Sequence, residues 1–149
     1  MHALREALAD GTIDIVATDH APHPTESKEC EWQEAAFGML GLETALSIVQ
    51  KTMIDTGLMN WVQVADRMSI APARIGGYEK HGQPLVVGSI ANLVVINPTK
   101  KWTVDRDLVL SKSSNTPYHG HELPGVITHT FFKGKATYSN GIVSSTGGK

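Results

Sequence analysis

The run Ile13-Asp14-Ile15-Val16-Ala17-Thr18 constrains the fold more than any other stretch of the chain. It is too short for a helix and rich in β-branched side chains, so it reads as a strand buried on both faces. Strands of that texture belong to parallel sheets covered by helices. In parallel α/β folds the ligand site lies at the carboxyl ends of the strands. At that end stand Asp19, His20, Ala21, Pro22 and His23. Pro22 and Pro24 lack an N–H and push their predecessors toward extended geometry, so this carboxylate and these imidazoles are expected on a loop.

The neighbouring segments support an α/β start. Leu4 and Leu8 recur at helical spacing in residues 1–9, with Asp10-Gly11 as a stop. From His23 to Ala36 the chain is polar and irregular, the texture of a mobile surface loop that could act as a lid. A second helix is expected from Gly41 to Met53, with Leu42, Ala45, Leu46 and Val49 as its apolar stripe and Asp55-Thr56-Gly57 as its end. A third follows Asn60, a good N-cap, through Trp61, Val64, Ala65 and Met68. A fourth, short one is expected after Pro72, closed by Gly76-Gly77.

From Tyr78 the texture changes to short β-like runs: Leu85 to Val87, Ala91 to Ile96, Val126 to Lys133 and Ala136 to Tyr138, the last turning at Ser139-Asn140-Gly141 into Ile142-Val143. Lys133-Gly134-Lys135 is a tight hairpin signal. The expected division is therefore residues 1–77, a β-rich unit at residues 78–143, and a disordered tail from Ser144 to Lys149.

Composition narrows the function classes. With 41% hydrophobic and 19% charged residues the chain is an ordinary soluble type. A net charge of −2 gives no basic footprint for nucleic acid or an anionic membrane. The single Cys30 forms no internal disulfide, which fits a reducing compartment. No apolar run approaches the roughly 20 residues that span a bilayer, and Arg5, Glu6 and Asp10 interrupt the start where a signal peptide is apolar. A cytoplasmic location is expected.

Asp19, His20 and His23 are the residue types that bind zinc, but a hydrolytic zinc site uses about three protein ligands and an open position. Two readings stay open on spacing alone: a metal-assisted site, or a strand-end Asp capping a turn beside solvated histidines. His119-Gly120-His121 has ligand spacing but no apolar strand before it, so a surface loop is its default. His2, His81 and His129 are isolated. Trp32, Trp61 and Trp102 read as packing anchors.

The stretch from Asp10 to His23, followed by Glu26, Lys28, Phe37-Gly38 and Gly41-Leu42-Glu43-Thr44, closely resembles the dihydroorotases, cyclic amidohydrolases of the amidohydrolase superfamily. The similarity continues through residues 69–74, residues 88–94, where Asn92 stands in place of a frequent Asp, and Ser113-Ser114-Asn115-Thr116-Pro117-Tyr118. It implies an α/β fold: the carboxyl-terminal fragment of a (β/α)8 TIM-type barrel, its last strand plus helices, with an appended small β-sandwich unit. It implies a zinc hydrolase of pyrimidine biosynthesis that interconverts N-carbamoyl-L-aspartate and dihydroorotate. Asp19 would be both zinc ligand and general base, His23 the binder of the substrate carboxylate, and the backbone amides near Phe37 and Gly38 the holders of the pyrimidine ring. Dihydropyrimidinases and allantoinases share the strand-end Asp-His and the β-unit; His23 is what favours an anionic substrate.

A complete barrel of this type needs about 250 residues, and the family's other zinc ligands, a His-x-His, a carboxylated lysine and two further histidines, lie upstream of the Asp. The resemblance therefore implies a partial chain that binds zinc weakly and is inactive alone. It would need a complementing barrel segment. The alternatives are a noncatalytic module that pairs with itself or another subunit to cover its exposed strand, and a hydantoinase- or allantoinase-type enzyme.

Overall fold

The computed structural model describes residues 1–78 and 80–144. Helix α1, His2–Asp10, is ended by Gly11, whose φ of +94° lies in the left-handed region that glycine enters without a Cβ penalty. The Thr12 N–H then donates to the Asp10 carboxylate at 2.8 Å and holds that exposed carboxyl below its ordinary range.

The chain next runs extended to Asp19, but the expected two-sided strand is absent: no ladder forms, and no residue from Ile13 to Thr18 is buried. A strand is made by its neighbours, and among the described residues none lies alongside this one. Its backbone is held by Ile13 N–H to the Ala7 carbonyl at 2.9 Å and Val16 N–H to the Arg67 carbonyl at 3.1 Å. At its far end His20 forms an isolated parallel bridge with Met39.

The helical part is tighter than the sequence suggests. Helix α2, Ala45–Val49, widens without a break into a π-helical turn, Gln50–Ile54. Leu42 falls outside it and is exposed, so the buried stripe is Val49 and Met53 with Leu46 partly covered. Asn60 caps helix α3, Trp61–Ala65, in a reciprocal capping box with Gln63. A second π turn, Asp66–Ile70, joins it directly to helix α4, Ala71–Ile75, so the two expected helices are one continuous run. In that turn Ala71 N–H bonds the Asp66 carbonyl, five residues back. The next donor in that register would be residue 72. Pro72 has no N–H, which leaves the Arg67 carbonyl open to Val16. Val49, Met53, Met59 and Val64 form the core, with Leu8, Val16, Trp61 and Met68 packed against it.

The β-rich part is one antiparallel meander, β1 (Leu93–Thr103), β2 (Glu122–Phe132), β3 (Lys135–Ser139) and β4 (Ile142–Val143), in that spatial order. The described residues thus hold a single sheet where a sandwich was expected. Leu85 to Val87 is an exposed turn and not a strand. Strand β1 outruns its expected end because the Asn97 side chain accepts from the Thr99 and Lys100 amides at 3.1 Å each, closing an excursion at Pro98 after which pairing resumes at Lys101. Strand β2 begins early because Pro124 and Gly125 sit opposite that excursion. Both hairpin turns are as expected: Lys133-Gly134 and Asn140-Gly141 have φ of +50°, +78°, +46° and +93°, the pattern of a two-residue type I′ loop. Ser144 N–H bonds the Thr137 carbonyl, and the rest of the expected tail lies outside the described residues.

Sheet and helices are joined by polar groups. Ser47 Oγ donates to the Gly125 carbonyl at 3.0 Å and accepts from Trp102 Nε1 at 3.1 Å; Gln50 Nε2 donates to the Pro98 carbonyl at 2.8 Å. Trp61 and Trp102 pack as expected, whereas Trp32 is exposed. No described helix is long and apolar enough to cross a membrane. The chain exposes 10422 Å². A compact monomer of its 16.1 kDa would expose about 7,400 Å².

A methyl group on Gly125 would collide with the Gln50 amide oxygen, and φ is +79° there; Gly134 has a similar φ of +78° but open space around it. Gly134→Ala should cost about 1–2 kcal/mol from the left-handed backbone alone. Gly125→Ala should cost more, because the collision adds to that strain. Urea unfolding of the two variants checks the order, and equal losses would show that Gln50 yields freely.

Candidate functional site

Three segments converge at the end of the extended run: residues 19–23, residues 38–42 and residues 114–117. The first begins with Asp19, which is exposed and sits at φ +46°, a left-handed backbone that Asp tolerates better than most side chains. It makes no hydrogen bond or ion pair among the described residues. A strained, unpartnered carboxylate at a turn is the kind of residue that functional sites hold in place.

His20 has a different task from the ligand role left open above. Its Nδ1 accepts from the Gly41 amide at 3.0 Å and the Leu42 amide at 3.4 Å. That nitrogen is therefore an acceptor, and the ring ties the first segment to the second. Gly41 permits the contact: a Cβ there would stand 2.8 Å from the Thr18 carbonyl oxygen. Ala21 N–H adds a bond to the Met39 carbonyl at 2.9 Å.

His23 and Gly38 line one cavity of about 300 Å³ together with Lys28, Arg106 and Asn115. Asp19 is not part of that lining. Gly38 has φ +112°, and a Cβ on it would lie 2.5 Å from that of Ala21 and 3.4 Å from His23 Nε2. No larger residue leaves this arrangement intact. The Gly38 carbonyl accepts from Lys28 Nζ at 3.1 Å, and the same ammonium donates to the Ala36 carbonyl at 2.7 Å. The loop expected as a lid is thus tied at its base, with a 3₁₀ turn at Thr25–Ser27. The Phe37 side chain is 97% exposed, so any contribution it makes here is through its backbone.

Nothing local in the sequence marks Asn115, which stands in the motif Ser113 to Tyr118 without an assigned role. It lies on the excursion between β1 and β2, which returns to the site. Its side chain bonds His23 N–H, the Ala21 carbonyl and the Gly38 carbonyl. His119 and His121 lie on the same excursion: His119 Nδ1 accepts from the Arg106 amide at 3.1 Å, and His121 packs edge-on to Tyr118.

No group of three or more His, Cys, Asp and Glu side chains is placed to hold a metal ion among the described residues. Asp19 offers one oxygen donor. The described residues do not by themselves make a zinc site.

A left-handed Asp19 thus ends the extended run, and a cavity lined by His23 and Gly38 lies just beyond it; comparison with known proteins identifies the family. The chain belongs to the amidohydrolase family, whose profile matches residues 1–137. It is 61% identical over 139 residues to a dihydroorotase of Streptomyces coelicolor, covering 93% of this chain and 32% of that protein. It is 53% identical over 135 residues to a dihydroorotase of Mycobacterium leprae, covering 91% of this chain and 31% of that protein. Among solved structures it superposes on an L-hydantoinase (dihydropyrimidinase) from Arthrobacter aurescens with a TM-score of 0.87 and 31% identity, covering 95% of this chain and 32% of that one. The chain spans about a third of the length of the relatives it matches.

Gly38→Ala should cost about 1–3 kcal/mol through backbone strain and loosen the Ala21–Met39 bond. Faster hydrogen exchange at the Ala21 amide checks it; an unchanged rate would show that the loop moves aside at little cost.

Proposed function

We propose that this chain is the part of a dihydroorotase-type cyclic amidohydrolase that carries the general base and the substrate clamp. The observation that carries the reading is the cavity that His23 and Gly38 line together, just after the exposed Asp19, unpartnered among the described residues, in a chain 61% identical to a dihydroorotase over 139 residues. On this reading Asp19 takes the proton of the attacking water as its oxygen adds to the ring amide carbonyl, then returns it to the ring nitrogen as the C–N bond breaks. The product is N-carbamoyl-L-aspartate, and ring closure is the reverse. His23 donates a charge-assisted hydrogen bond to the substrate carboxylate. The backbone at Phe37 and Gly38 holds the ring amides. Zinc, once held by a complete ligand set, would supply Lewis-acid polarisation and an acidic water near neutral pH. Asp19 would be one of its ligands, and the other donors would come from a complementing barrel segment.

That segment would also cover surface. The 10422 Å² exposed here exceeds the expectation for a compact monomer by about 3,000 Å², and exposed Val62, Ile75, Leu85 and Val87 contribute apolar area to it. The same excess favours a second reading, a noncatalytic module that covers itself by self-association. The two part on measurement. The chain alone is expected to bind zinc weakly and to turn over no dihydroorotate; tight stoichiometric zinc with ring opening by the chain alone would refute this.

Assembled with the complementing segment of the Streptomyces coelicolor relative, the chain should acquire activity. Asp19→Asn should then lower kcat by about 10²–10⁴-fold, the span of a positioned general base. His23→Ala should raise KM for dihydroorotate by about ten- to a hundredfold, the worth of a hydrogen bond to a charged group, with kcat much less affected. A harmless His23→Ala, with turnover of uncharged hydantoins, would favour the hydantoinase-type reading.

A further inference from the structure

We propose that Asn115 is a positioning residue that ties the two substrate-holding segments to each other, and so sets the strength with which an anionic substrate is held. The proposal rests on the reading of His23 and Gly38 given above. Asn115 stands 92 residues from His23 and 77 from Gly38 in sequence, yet its amide meets both. Oδ1 accepts from His23 N–H at 3.2 Å. Nδ2 donates to the Ala21 carbonyl at 2.9 Å and reaches the Gly38 carbonyl at 3.4 Å. The Asn115 backbone carbonyl accepts from Leu40 N–H at 3.2 Å. One residue thus gives two bonds to residues 21–23 and two to residues 38–40.

The chemistry explains why an amide stands here. In an extended segment the carbonyl of one residue and the N–H two residues on face the same side. Ala21 and His23 present such a pair, one acceptor and one donor. A carboxamide offers the complementary donor and acceptor, so Asn115 imitates one peptide unit of a neighbouring strand. The amide orientation is settled by its partners, because an N–H only donates and a carbonyl only accepts. At Ala21 N–H the two segments bond each other directly, through the Met39 carbonyl at 2.9 Å. At the Ala21 carbonyl, toward His23 and Gly38, the Asn115 amide bridges them. The Asn115 amide therefore fixes how the two segments lie against each other at the cavity end. Lys28 Nζ fixes the same Gly38 carbonyl from another direction at 3.1 Å.

Two variants and two readouts test this. In the 149-residue chain, Asn115→Ala should speed hydrogen exchange at the His23 amide by about tenfold, the equivalent of one hydrogen bond. Exchange at Val64, whose N–H bonds the Asn60 carbonyl inside α3, should stay unchanged and serves as the folding control. In the assembled enzyme Asn115→Ala should raise KM for dihydroorotate by about tenfold while kcat stays within about threefold. In a His23→Ala background the same substitution should add no further rise in KM, because the clamp it positions is gone. Asn115→Asp matches the native shape but turns a negative oxygen toward the Ala21 and Gly38 carbonyls, so it should raise KM at least as much; it carries the test if the alanine variant loses Val64 protection. An unchanged His23 exchange rate, or equal KM effects with and without His23, would overturn the proposal. If the unmutated assembly turns over no dihydroorotate, the dihydroorotase reading fails, and the exchange rates alone decide whether Asn115 joins the two segments.

Discussion

The hydrogen bond from Val16 N–H to the Arg67 carbonyl is the constraint on which the placement of the site depends. It exists because the helical run from Trp61 to Ile75 passes through a π turn just before Pro72. A residue with an N–H at position 72 would compete for that carbonyl within the helix. Proline removes the competitor, and the extended run Ile13 to Asp19 is moored to the helix through the group left over. The Arg67 side chain reinforces the mooring, since its Nε donates to the Leu8 carbonyl at the end of α1 at 3.1 Å and its Nη1 pairs with Asp66 at 2.6 Å. Everything at the end of the extended run, Asp19 included, inherits its position from this junction.

Beyond the junction the site is built by close approach. Gly38 lets Ala21 and His23 lie against the start of the second segment, and Gly41 lets residue 18 lie against its other end. His20 and Asn115 then join these backbones with side chains that act as peptide surrogates: an imidazole nitrogen accepting two amides, and a carboxamide pairing with a donor and two acceptors. The two groups proposed to act on substrate, Asp19 and His23, are left with their side chains uncommitted. Rigid neighbours around free functional groups are what preorganised binding requires.

The sheet is fixed to the helices by a different device, a small set of buried polar contacts centred on Ser47 and Gln50. Gln50 has one amide group fully used and its oxygen unpaired beside Gly125, so the joint tolerates little change at either residue. This joint also brings the excursion between β1 and β2 within reach of the cavity. The β-rich part is thereby a structural contributor to the site, through Asn115, and more than an appendage.

The helices, the two hairpin turns and the loop location of Asp19 and His23 were legible in the sequence, because each is set by local chemistry: alanine and leucine spacing in α1, the Asn60 cap, and the tolerance of Asn140, Gly134 and Gly141 for a left-handed backbone. The family was legible in the same way, through the contiguous residues from Asp10 to His23. The run Ile13 to Thr18 carries a strand pattern yet forms no strand, because that pattern specifies a partner that the described residues do not supply, and strand pairing is a property of two segments. The joining of α3 to α4 was hidden because Pro72 is a start signal locally and a π-turn partner only in context. Asn115 was invisible for the reason that makes it useful: its bonds reach 77 to 94 residues along the chain. The sequence by itself determined the local elements and the chemical groups at the site. Only the tertiary structure decided which of those groups are tied to backbone and which stay free, because hydrogen bonds between distant segments depend on distance in space and leave no periodic trace in sequence.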